Sequence, residues 1–96
     1  MQFFYSHGFH SSLHCQAYCR ISQGLDITPF QLVYDNGGDF MANLHSLKEQ
    51  FLSEYKENEP FCFVGNSLGA FYLWQLTLFA PYFEIPSPQV MMLFNP

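Results

Sequence analysis

Residues 61–69 read Phe61-Cys62-Phe63-Val64-Gly65-Asn66-Ser67-Leu68-Gly69, and how they are read decides the fold. Pro60 ends whatever precedes it, and Phe61 to Val64 is apolar at every position. That is the pattern of a strand covered on both sides, as in a parallel sheet between helices. Gly65 to Gly69 is a G-x-S-x-G turn, and Leu68 to Ala80 is almost wholly apolar, which predicts a buried helix closed by Pro81. At a strand-to-helix corner of this kind, side chains at positions 65 and 69 would strike the adjacent strand and helix. The backbone of Ser67 is forced into a strained conformation that lifts its hydroxyl clear. The hydroxyl then stands at the positive end of the following helix, where the Leu68 N–H can stabilise a developing oxyanion. The plainer alternative is an ordinary turn in which Ser67 caps the helix.

Working outward, the same alternation repeats. Gln2 to Ser6 predicts a first strand ending in the sharp His7-Gly8 loop. Ser11 and Ser12 can cap a helix whose apolar positions Leu13, Ala17 and Ile21 recur at helical spacing until Gly24 offers a stop. Phe30 to Tyr34, between Pro29 and Asp35-Asn36-Gly37-Gly38, predicts a second strand. From Asp39, an expected N-cap, Phe40, Leu44, Leu47, Phe51 and Tyr55 share one helical face, and Lys48, Glu49, Glu54 and Lys56 occupy the others. After Pro86 to Pro88, Val90 to Phe94 predicts a fourth strand, and Asn95-Pro96 begins a loop. Strand and helix in turn mean an α/β class with parallel strands and right-handed crossovers. No repeat or linker divides residues 1–96, so a single domain is expected.

The 96 residues are 49% hydrophobic, which argues against disorder, and only 11% charged, against roughly 25% in typical soluble domains. With aromatics at 20%, part of this surface is expected to be covered by something else. Three basic residues, Arg20, Lys48 and Lys56, face eight acidic ones for a net charge of -5. No cationic stripe exists for a phosphate backbone, so nucleic-acid binding is disfavoured. No apolar run approaches the roughly 20 residues a bilayer span needs, and Met1 to Tyr5 lacks a positively charged leader. Cys15, Cys19 and Cys62 cannot all pair within one chain, so a reducing compartment and a cytoplasmic location are expected.

A second motif points to the same corner. His7-Gly8-Phe9 follows the first strand, where a second oxyanion donor belongs, here the Phe9 N–H. His7-Gly8-Phe9 with Ser11-Ser12, Val64 to Gly69 with Phe71-Tyr72, and Phe94-Asn95-Pro96 together resemble the YqiA-like esterases of the α/β-hydrolase superfamily, over the whole chain. The resemblance implies a sheet in the order 2-1-3-4 with helices on both faces and Ser67 above its carboxyl edge. It also implies acyl transfer from a carboxylic ester or acyl thioester to Ser67 and then to water, without metal or cofactor. Ser67 is the expected nucleophile, Phe9 and Leu68 the expected amide donors, and His7, Gly8, Gly65, Asn66 and Gly69 the supporting loops.

The family pattern also breaks here. Its triad runs Ser, then Asp or Glu, then His along the chain. Among the 29 residues after Ser67 (96 minus 67) there is no His and no Asp, and Glu84 is the sole acid. The chain is therefore expected to be the N-terminal half of such a hydrolase, incomplete or weakly active, unless a complementing polypeptide supplies the rest. His7, His10 or His14 could serve as a nonstandard base, while His45 reads as a polar helix position. His10 with His14 and Cys15 with Cys19 have i, i+4 spacing, but the two pairs point in different directions and no metal site is expected. Asp35 and Asp39 read as loop and cap. The alternative function is a noncatalytic module that binds a partner chain through an exposed edge strand or aromatic surface, and self-association through the edge at Val90 to Phe94 is expected of the isolated chain.

Overall fold

A computed structural model describes residues 1–8, 16–25 and 28–94. Phe9, the Ser11-Ser12 cap, Leu13, His10, His14, Cys15 and Asn95-Pro96 lie outside the described residues. The elements are β1 (Gln2–Ser6), α1 (Gln16–Leu25), β2 (Phe30–Gln31), α2 (Phe40–Glu54), β3 (Phe61–Asn66), α3 (Leu68–Leu78), α4 (Ala80–Phe83) and β4 (Val90–Phe94). The four strands form one sheet in the order β2-β1-β3-β4, and every pairing is parallel. The class is α/β, and the strand order is the expected one.

Strand alternation divides the core in two. Phe4, Phe61 and Phe63 face Leu44, Leu47 and Phe51 of α2 and Leu73 and Leu76 of α3 in the larger cluster, while Tyr5, Cys62 and Val64 lie in the smaller one. Both faces of β1 and β3 are thus covered. The chain reverses its travel across the sheet after β2, so right-handed crossovers put α2 and α3 on the same face. Their shared cluster agrees. Aromatic rings bind this layer: Phe51 lies 4.9 Å from Phe4 and 5.0 Å from Phe61, centroid to centroid. Replacing so central a ring by Ala costs about 3–5 kcal/mol.

Asp39 caps α2 as expected, its carboxylate accepting from the Ala42 N–H at 3.0 Å. Four other expectations are corrected. β2 is two residues long, not five, because side chains take over its backbone: Ser6 Oγ donates to the Leu32 carbonyl at 3.1 Å, and the Gln50 amide bonds both N–H and C=O of Val33 at 2.7 Å. Leu32 and Tyr34 still point inward and Val33 outward, the alternation that suggested a strand. β3 runs through Gly65 and Asn66, since its last two residues pair with Leu93 and Phe94. Pro81 does not close the long helix. α3 stops at Leu78, and Pro81 sits in the first turn of α4, where its missing N–H is no loss. Gly24 does not stop α1, which continues to Leu25. Cys62 is buried as a small apolar residue, but Cys19 is exposed on α1.

Candidate active site

The corner between β3 and α3 has the geometry its glycines require. Ser67 has φ 55° and ψ -121°, a conformation that L-residues rarely adopt and that costs of order 1–3 kcal/mol. A Cβ at Gly65 would lie 2.7 Å from Ala70 Cα, and one at Gly69 would collide with the backbone oxygens of Ser6 and His7. No atom larger than hydrogen fits at either position, which is why the strand and helix can approach so closely. Ser67 is half-buried, and its side chain makes no capping bond to α3. The ordinary N-cap alternative is therefore not what this residue does.

Ser67 immediately precedes α3, so the first helical amides, Leu68 among them, have no carbonyl one turn back to bond. The Ser67 amide itself is committed to β4, donating to the Phe94 carbonyl at 2.8 Å, and the Ser67 carbonyl accepts from Phe71 at 3.1 Å. Asn66, half-buried, ends β3 opposite Phe94.

His7 and Gly8 form the opposite wall. A Cβ at Gly8 would stand 3.2 Å from Ser67 Cβ and 3.3 Å from the Asn66 carbonyl oxygen, so this loop packs directly on the corner. His7 is buried. Its Nδ1 donates to the Gly8 carbonyl at 2.9 Å, which fixes the proton on that nitrogen, because a carbonyl can only accept. Its ring stacks on Tyr34 at 4.9 Å, and Tyr34 Oη donates to the His7 carbonyl at 2.8 Å.

Behind Tyr34 lies a polar chain that the sequence reading missed. Asn43 on α2 accepts from the Asp35 N–H and donates to the Asp35 carbonyl, both at 2.9 Å, and also donates to Tyr72 Oη at 2.9 Å. Asn43 occupies a buried helical position among Leu44 and Leu47, and an amide inside an apolar face was the available signal. Burial, with the neighbouring Tyr72 as the smaller cause, pushes the Tyr34 hydroxyl up to about 12, so it remains a neutral donor.

The corner thus brings together Ser67, Leu68, Gly65, Asn66, Gly69, His7 and Gly8. It does not bring a described histidine onto Ser67: no bond joins Ser67 to His7, and His45 lies edge-on to Phe83 at 5.1 Å. Glu84, in a left-handed conformation, ends α4 and is exposed. Among the described residues, no three His, Cys, Asp or Glu side chains are grouped to hold a metal, and no helix is long and apolar enough to cross a membrane. Comparison with family models, curated proteins and solved structures finds no match to this chain.

Proposed function

We propose that this chain is a serine hydrolase of the α/β-hydrolase type, in which Ser67 accepts the acyl group of a carboxylic ester or thioester. The observation that carries this reading is the backbone of Ser67, at φ 55° between two glycines that tolerate no side chain. A conformation that costs stability persists where the surrounding structure enforces it, and it clusters at reacting groups. In the reaction, Ser67 Oγ forms a bond to the acyl carbon, the alcohol or thiol departs with the serine proton, and the Leu68 N–H faces the oxyanion. Water then cleaves the acyl-serine bond and restores the hydroxyl. No described residue acts as a base on Ser67; catalysis without a base would stay within the ~10³ to 10⁴-fold over water that binding and an oxyanion site supply.

The test is treatment of the full chain with a fluorophosphonate and with p-nitrophenyl acetate, mapping adducts by peptide mass spectrometry. A covalent adduct on Ser67 and its loss in Ser67→Ala support the reading. Equal ester hydrolysis by both proteins, with no adduct, ends it.

One observation favours a second reading, a noncatalytic module that pairs with another chain. Among the described strands β4 pairs only with β3, at the edge of the sheet, with no charge from Ile85 to Phe94, and Val90 and Phe94 are exposed. Uncharged edges of this kind invite strand addition. This reading expects self-association in light scattering that Val90→Lys abolishes. A wild-type monomer at high concentration contradicts it.

A further inference from the structure

The chain of contacts that begins on α2 ends at the His7 carbonyl, in the loop packed against Ser67. Asn43 brackets the backbone of Asp35 from both sides, which fixes the segment carrying Tyr34. The Tyr34 ring lies 4.8 Å from Tyr72, whose hydroxyl Asn43 also holds. Thus held, Tyr34 meets His7 twice, through the hydroxyl on the His7 carbonyl and through the stacked rings. The same carbonyl faces the Cα of Gly69 on α3, and Gly8 rests against Ser67. Phenylalanine would fill this part of the core as well as tyrosine does. A buried hydroxyl must instead find an acceptor, and here it takes a carbonyl beside Ser67 rather than one in the core.

We infer that Tyr34 is a positioning residue for Ser67, holding the His7–Gly8 segment against the β3–α3 corner through the His7 carbonyl. This rests on the reading of Ser67 as the reacting group. Tyr34 touches no substrate; it acts through the loop. Asn43 and Tyr72 orient it from α2 and α3, so the wall of the site is tied to the helical layer rather than to β1 alone.

Tyr34→Phe tests the inference in the full chain, with two readouts. The first is NMR of the loop. The His7 carbonyl carbon should move upfield, and the Gly8 amide order parameter should fall from the rigid range near ~0.85 toward ~0.6, with Leu47 and Phe51 of α2 unchanged. The second is the rate at which a fluorophosphonate modifies Ser67, which should drop roughly tenfold, the size one lost hydrogen bond carries. Tyr72→Phe, which keeps the Tyr34 hydroxyl, should shift both readouts in the same direction by less, and it supplies the measurement if Tyr34→Phe does not fold. Unchanged Gly8 order, or loosened Gly8 with an unchanged modification rate, overturns the inference while the hydrolase reading stands. A wild-type Ser67 that never reacts overturns both, and the loop data show that the failure lies in the chemistry.

Discussion

The Ser67 amide donates to the carbonyl of Phe94 at 2.8 Å, so the strained residue is tied to the far strand as well as to its own helix. Two consequences follow from the bond. The conformation at Ser67 is held in part from β4, a strand that lies further along the chain, at Val90–Phe94. And because the Ser67 N–H is bonded to Phe94, it is already committed within the fold.

Ser67→Gly should therefore be at least as stable as the wild type, by up to about 2 kcal/mol, because glycine adopts φ 55° without strain. Ser67→Ala keeps the Cβ and should show no such gain. Urea denaturation separates the two. Equal midpoints for Ser67→Gly and Ser67→Ala would mean that the corner stores no strain.

Two glycines with opposite surroundings give a paired test. Gly69→Ala drives a methyl into the Ser6 and His7 carbonyls, and stability should fall by about 3 kcal/mol or more. Gly24 lies in the last turn of α1 with no described residue within 4 Å of its Cβ direction, so Gly24→Ala should stabilise by about 0.5–1 kcal/mol. Thermal melts of the two variants should move in opposite directions.

The Tyr34 hydroxyl has its own pH signature. Its folded value, about 12, lies above the ordinary 10.0, so the folded state holds this proton more tightly than the unfolded chain does. The associated stability is fully present below pH 10.0 and is lost as pH rises toward about 12. The stability of wild type minus that of Tyr34→Phe should stay flat up to the lower value and decline above it. A difference that grows with alkaline pH would show that the hydroxyl is not buried as described.

Gln50 clasps both backbone groups of Val33, and Gln50→Ala releases them to water. The loss should be about 1–2 kcal/mol, because each bond contributes roughly 0.5–1.5 kcal/mol net. Val33 amide exchange should speed up, while exchange in β3 should follow only the global stability.

Much of this architecture is legible from residue order. Gln2 to Ser6 and Val90 to Phe94 form strands with the expected bounds, and Leu44, Leu47 and Phe51 are the buried face of α2. Those features depend on periodicity and on neighbouring residues, which a sequence displays. The corner was legible as a pattern, Gly65, Ser67 and Gly69 within five residues, and the clash at Gly65 is local, with Gly69 and Ala70, but Gly69 is confined by Ser6 and His7 at the end of β1. The strand order matched too, although it came from a family resemblance and not from the residues themselves.

Partners distant in the chain decided the rest. Phe30 to Tyr34 alternates like a full strand, yet Gln50, 17 residues from Val33, and Ser6, 26 residues from Leu32, take its hydrogen bonds. Tyr34 reads as one more apolar position until the fold brings it to a carbonyl 27 residues earlier, and Asn43 as a polar helix position until it meets Tyr72, 29 residues later. Local sterics and hydrophobic period are properties of a segment, so the sequence by itself determined the α/β alternation and the strained serine between its glycines. Which donor meets which acceptor is settled only when packing removes water and leaves each buried polar group the few neighbours that the fold supplies. The tertiary structure alone therefore decided how β2 ends and what holds the loop beside Ser67.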